Sequence, residues 1–295
     1  MNTPWSQRPV RAASERPTVI GLHAVAGSPE QWRPLAERLH LGYRVLAPDL
    51  HGYAAGRASG AQPPLSLDAE AARIEPLLDA FPGPVYLVGQ DYGAAVALKL
   101  AHRRRERIGG LVLYEPTHFG LLLADPGSRS AALGIAVLRR VLGRYLEAGD
   151  WFRGALRYVD HHSGPDAWQG LSTRERAGIA RRMPELCAQL DAQFADPTPL
   201  AGYARIDVPV SLLTAARARP ASERIAQLLA GTLPRAEWRR VDPDARPEAV
   251  DREIEGFLAQ QQASWHRDPE PTAAFGRPVF RCPGHLRERA EAVSL

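Results

Sequence analysis

Short apolar runs alternate along the chain with longer stretches of helical period. Thr18-Val19-Ile20-Gly21-Leu22-His23 is apolar without alternation, which fits a strand buried on both faces. Tyr43–Asp49, Val85–Gly89, Leu111–Glu115 and Val208–Thr214 read the same way, and Glu237–Val241 as a further short strand. Between them, Ser28–Leu39 opens with a serine cap and a proline in its first turn, as a helix should. Leu67–Phe81, Ala94–His102, Ser222–Leu233 and Pro247–Gln261 also carry helical spacing. Strand and helix in alternation predict an α/β fold, a mostly parallel sheet with helices on both faces.

The rhythm breaks after Pro116. From His118 to Tyr203 apolar residues recur at helical spacing (Leu133, Val137, Leu138, Val141, Leu142, then Ile179, Met183, Leu186, Leu190, Phe194), with no strand pattern. This predicts a core of residues 17–117 and 206–262 interrupted by a helical cap, 118–205. Residues 1–16 and 263–295, rich in proline and arginine and lacking a period, read as irregular arms.

With 295 residues, 45% of them hydrophobic and 24% charged, the chain can bury a sizeable core. Two cysteines exclude a disulfide framework and a multi-cysteine zinc site. The net charge of +4 comes from scattered arginines, and the densest run, Arg103–Arg107, has Glu106 within it, so nucleic acid is not the expected partner. Lys99 is the single lysine and Asn2 the single asparagine, a bias in usage rather than a binding surface. No run reaches the about 18 apolar residues of a membrane span, and the N-terminal residues lack a signal-peptide core. The expectation is a soluble, cytoplasmic protein that acts on a small-molecule or peptide substrate without cofactor or metal.

The informative segment is Leu87-Val88-Gly89-Gln90-Asp91-Tyr92-Gly93-Ala94-Ala95. A strand that enters Gly-x-Asp-x-Gly and then a helix fits a nucleophile elbow, whose glycines permit a strained turn that lifts one side chain above the sheet. With Leu22–Ser28, Ala47–Tyr53 and Leu113–Thr117 in order around it, the chain from about Pro17 to Gln261 resembles the α/β-hydrolase superfamily. The resemblance implies a site between cap and strand ends, with an oxyanion held by the amides of Ala24 or Val25 and of Tyr92. His23, Glu115 and His118 then become candidate substrate-binding residues.

Two departures shape the functional expectation. The elbow residue is Asp91 in place of serine, which excludes an acyl-serine. The last connection, Val241–Val250, holds no histidine where the superfamily commonly supplies its base. The leading expectation is therefore non-hydrolytic chemistry, such as isomerisation, epimerisation, cyclisation or elimination, with Asp91 as base beside an oxyanion site. Gln90-Asp91-Tyr92-Gly93 is also similar to the elbow of haloalkane dehalogenases and epoxide hydrolases, where the carboxylate attacks an sp³ carbon and a histidine-activated water cleaves the ester. That alternative needs a relocated imidazole, from His118, His161 or His162. Tyr92 here stands where those enzymes commonly place a halide-holding tryptophan. A third alternative is a binding protein without catalysis. His161 and His162 are adjacent on a helix end and point apart, which argues against their ligating a metal together.

Overall fold

The computed structural model describes residues 16–50, 64–242 and 248–265. Most of both expected arms, the second half of the Ala47–Tyr53 motif and residues 243–247 of the last connection lie outside the described residues.

Six parallel strands form one sheet: β1 (Thr18–Leu22), β2 (Arg44–Leu46), β3 (Val85–Gln90), β4 (Ile108–Tyr114), β5 (Val210–Ala215) and β6 (Ala236–Val241). Their spatial order is β2-β1-β3-β4-β5-β6. The chain leaves β1 toward one edge and returns on its other side as β3, so the order reverses between these two strands. In open parallel sheets this reversal opens a crevice at the strand ends. Leu22 pairs in register with Gly89 there, which sets the loop after β1 beside the turn after β3.

Alternate side chains divide the core. Val19, Tyr86, Val88, Val112 and Leu213 face Trp32, Leu35 and Leu39, around α1 (Arg33–Leu39), and Ile254 and Leu258 of α10 (Ala249–Trp265). Ile20, Leu22, Leu87, Leu111 and Leu113 face the other way, toward α2 (Leu67–Asp79), α3 (Tyr92–Arg103) and α9 (Pro220–Ala230). On α2 the contact stripe is Leu67, Ala71, Ile74 and Leu78, a spacing of three and four.

The element boundaries depart from the sequence expectation where local chemistry intervenes. Ser28–Leu39 divides into a 3₁₀ turn, Pro29–Trp32, and α1, because Pro34 has no N–H to carry a continuous ladder. Helix α3 begins at Tyr92, two residues early, because the turn after β3 delivers the chain straight into it. The final helix starts at Ala249 and runs on to Trp265.

Between β4 and β5 lie α4 (Phe119–Ala124), α5 (Arg129–Glu147), α6 (Trp151–Ser163), α7 (Thr173–Arg181) and α8 (Met183–Ala195), then a 3₁₀ stretch, Leu200–Arg205. Leu142, Ala155, Met183 and Leu186 from these helices join the core on the α3 side of the sheet. A buried polar knot ties both ends of the insertion to α3. The three N–H groups of Lys99 meet Asp196 Oδ2 at 2.8 Å, Thr198 Oγ1 at 2.7 Å and Asp68 Oδ2 at 2.9 Å. An ammonium has three donors, so Lys99 is fully satisfied. Burial alone would raise the Asp196 carboxyl, but hydrogen bonds from His118, Lys99 and Thr198 prevail and hold it well below the usual carboxylate range. No helix among the described residues is long and apolar enough to cross a membrane.

Candidate active site

Asp91 sits at the tip of the turn between β3 and α3 with φ 53° and ψ −116°, a conformation that costs an L-residue strain and is held by its surroundings. Two glycines make that turn fit. A Cβ on Gly89 would lie 2.4 Å from the Gly93 carbonyl oxygen, and one on Gly93 would lie 2.1 Å from that of Leu22. Either contact is impossible, so backbone approaches backbone and the aspartate is thrust upward. Its amide donates to the Tyr114 carbonyl at 3.0 Å, which pins the turn to the end of β4.

The carboxylate is buried, with 4% of the residue exposed. Thr117 Oγ1 donates to Asp91 Oδ1 at 2.7 Å. Oδ2 faces the insertion, where His162 Nε2, in the last turn of α6, lies 3.7 Å away. That separation is too long for a direct hydrogen bond. Tyr158, one turn earlier on α6, stacks on the imidazole with ring centroids 4.9 Å apart. Burial pushes the Tyr158 hydroxyl up, and the nearby Asp91 charge adds to this. Burial and the Arg219 guanidinium together depress His162, against the pull of Asp91, to about 4. The imidazole is therefore neutral at pH 7.

Of the oxyanion donors implied by resemblance, the Ala24 amide donates to Gln31 Oε1 at 3.1 Å, and Gln31 Nε2 donates to Gln90 Oε1 at 2.8 Å. This clamp joins the loop after β1 to the end of β3. The Val25 and Tyr92 amides make no hydrogen bond among the described residues. The Tyr92 side chain points into the core, where its hydroxyl donates to the buried Glu70 Oε2 at 3.2 Å. It therefore cannot stand in for a tryptophan that holds a halide.

The other candidates are engaged elsewhere. Leu50 N–H donates to His23 Nε2 at 3.1 Å, which leaves Nδ1 as the protonated nitrogen, donating to the Ala24 carbonyl at 2.9 Å. Both ring nitrogens thus brace loops, and burial lowers the His23 pKa to keep the ring neutral. His118 Nε2 meets Tyr203 Oη at 2.9 Å and lies 3.5 Å from Asp196, in the knot on Lys99. Glu115, at φ 47°, accepts the Ala215 amide through Oε1, a brace between the ends of β4 and β5. Its Oε2 is buried with no hydrogen-bond partner.

Thr117 and Arg219 of the site carry no assignment in the sequence, and Tyr158 reads there only as one of the cap aromatics that could form an apolar lid or pack within the cap. Thr117 lies just beyond β4, and Tyr158 stands one helical turn before His162, a spacing that could have linked them. Nothing local marks Arg219. It precedes Pro220 at the start of α9, and its Nη1 lies 2.7 Å from His162 Nδ1 and 2.6 Å from Nε2. His161 and His162 both lie within α6, which runs to Ser163, and it is His162 that turns inward. The imidazole absent from the last connection thus arrives from the insertion.

The family described as the alpha/beta hydrolase fold matches residues 17–138. Among curated relatives, the lipase LipV of Mycobacterium tuberculosis is 37% identical over 193 residues, covering 65% of this chain and 62% of its own. A haloalkane dehalogenase of Agrobacterium fabrum is 35% identical over 99 residues, 33% of this chain and 32% of its own. The chain thus spans less than two thirds of the length of these relatives. Among solved structures, MenH from S. aureus superposes with a TM-score of 0.65 at 16% identity, covering 83% of this chain and 94% of that one. An alpha/beta hydrolase from Sphaerobacter thermophilus gives 0.60 at 20% identity, covering 82% and 92%. Residues 17–138 match that family, the six-stranded parallel sheet covered by helices superposes on solved proteins of the same architecture, and the chain thus has the α/β-hydrolase fold.

Proposed function

We propose that the protein is a hydrolase that uses Asp91 as nucleophile and His162 as the base that activates water. Asp91 Oδ1 is engaged by Thr117, so Oδ2, on the imidazole side, is the attacking atom. In the first step Oδ2 forms a bond to an electrophilic sp³ carbon while the bond from that carbon to halide, or to an epoxide oxygen, breaks with its electron pair. In the second, water attacks Cγ of the resulting ester as its proton passes to His162 Nε2. The Cγ–Oδ2 bond then breaks, the alcohol leaves with the proton from His162, and the regenerated acid loses water's second proton to solvent, or to the alkoxide where an epoxide was opened, which restores the carboxylate. Amides of Tyr92 and Val25 would stabilise the oxyanion formed on the ester.

The observation that carries this reading is the neutral imidazole at 3.7 Å from the elbow carboxylate. The gap is too long for a direct bond, and a water between the two groups would be polarised by both. An imidazole this close to the elbow favours the hydrolase alternative over the non-hydrolytic expectation, which assumes that no base converges there.

A second reading keeps Asp91 as a base for isomerisation or elimination. It is favoured by Arg219, because a cation beside His162 weakens that imidazole as a base, whereas a neutral imidazole leaves proton abstraction to the carboxylate. The two readings part on a covalent intermediate. A panel of primary alkyl bromides and terminal epoxides incubated with His162→Gln should leave an alkyl ester on Asp91, read as added mass on its peptide. The wild-type protein should release alcohol or diol. Absence of both adduct and product across the panel overturns the hydrolase reading.

A further inference from the structure

We infer that the substrate carries a small anionic group, such as a carboxylate, which docks on Arg219 while its reacting carbon lies over Asp91. The placement of the reacting carbon rests on the hydrolase reading above; the anion site itself does not. Several half-buried arginines elsewhere in the molecule reach oxygen acceptors: Arg139 meets Asp191, Arg224 meets Asp125, and Arg176 donates to the Trp168 and Gln169 carbonyls. Arg219 is half-buried, yet it makes no ion pair among the described residues. Its polar contacts among the described residues run from a single Nη1 to the two ring nitrogens of His162. One of those ring nitrogens carries a proton in the neutral imidazole, so at most one contact is a hydrogen bond. A guanidinium has five N–H donors in a planar fork that matches an oxyanion, and most of them are left over here.

Position adds to chemistry. Arg219 begins the connection from β5 into α9 at the C-terminal end of the sheet, and one imidazole separates it from Asp91 Oδ2. A short substrate can span both. The first turn of α9 faces the same place with its positive dipole end, though Pro220 withholds one amide. As a structural brace for His162 the arginine is a poor choice, because it depresses the imidazole that it touches. A cation retained there at that electrostatic cost has its use in the bound state, where an anion offsets it.

The test separates binding from chemistry. Titration of butyrate and of its neutral isostere butyramide into the wild-type protein should show butyrate bound at least about tenfold more tightly, the lower end for a hydrogen-bonded charge pair. Arg219→Gln should abolish the preference and Arg219→Lys should keep part of it, with unchanged circular dichroism in both. Asp91→Asn, which removes the proposed nucleophile, should bind butyrate at least as well. Butyrate preference without any ester on Asp91 would sink the hydrolase reading and leave the anion site standing. Equal affinity for acid and amide, or a preference that survives Arg219→Gln, would overturn the inference.

Discussion

At the scale of single residues, the site is governed by how neighbours set the charge of one imidazole. His162 is depressed by burial first and by Arg219 second, while Asp91 works in the opposite direction. A general base must be neutral to accept a proton, so a lowered pKa extends its competence to lower pH and weakens its basicity. Once Asp91 is an ester its charge is gone, and with it the one influence that raises His162. The acidic limb of ester hydrolysis should therefore fall at or below about 4, rather than near the ordinary 6.5 of histidine. Arg219→Gln removes a cation and should move the limb upward by about one pH unit. Ester decay followed by mass spectrometry as a function of pH checks this, and an unmoved limb would show that Arg219 does not act on the imidazole.

At the scale of elements, the insertion is useful only if α6 is held over the elbow, and the knot on Lys99 does that holding. Lys99 belongs to α3, the helix that begins at the elbow, whereas Asp196, Thr198 and His118 flank the insertion. The side chains of Lys99 and Asp196 are 4% and 1% exposed, so removal of one partner leaves a buried charge without compensation. Lys99→Met should cost about 3–5 kcal/mol in denaturant unfolding at pH 7, and Lys99→Met with Asp196→Leu should recover much of it. The pH dependence has a definite sign. A carboxyl depressed in the folded state contributes stability above its unfolded pKa and loses it as pH falls through the folded one. Protonation of Asp196 also removes the orphaned charge in Lys99→Met, so the gap between variant and wild type should narrow on acidification. A gap that stays constant with pH would place the cost in packing rather than charge.

At the scale of the whole molecule, the sheet and its turn are legible in the sequence because their causes are local. Parallel strands covered on both faces print as uninterrupted apolar runs, and the elbow prints as Gly89 and Gly93 around Asp91, where no other residue has room. The site above the sheet is not local. His162 lies far along the chain from Asp91, and its approach depends on how α5, α6 and α7 pack, which no short-range spacing records. Histidines nearer in sequence turned out to be occupied: His23 braces two loops and His118 joins the knot. Lys99, met first as a peculiarity of composition, owes its place to three acceptors brought from separate parts of the chain. Arg219 had no signal at all, because an unpaired guanidinium is defined by what is missing around it.

The central claim is that the substrate carbon bonds to Asp91 Oδ2 and that water then attacks Cγ and breaks the Cγ–Oδ2 bond, so that the alcohol leaves with the Asp91 oxygen. A single turnover of 3-bromopropionate with enzyme in excess in ¹⁸O-water tests it directly. The account predicts that the first alcohol released carries unlabelled oxygen from Asp91, and that the label appears on the peptide containing Asp91. Label in the alcohol with none on that peptide would mean that water attacked the substrate itself, and would contradict the account.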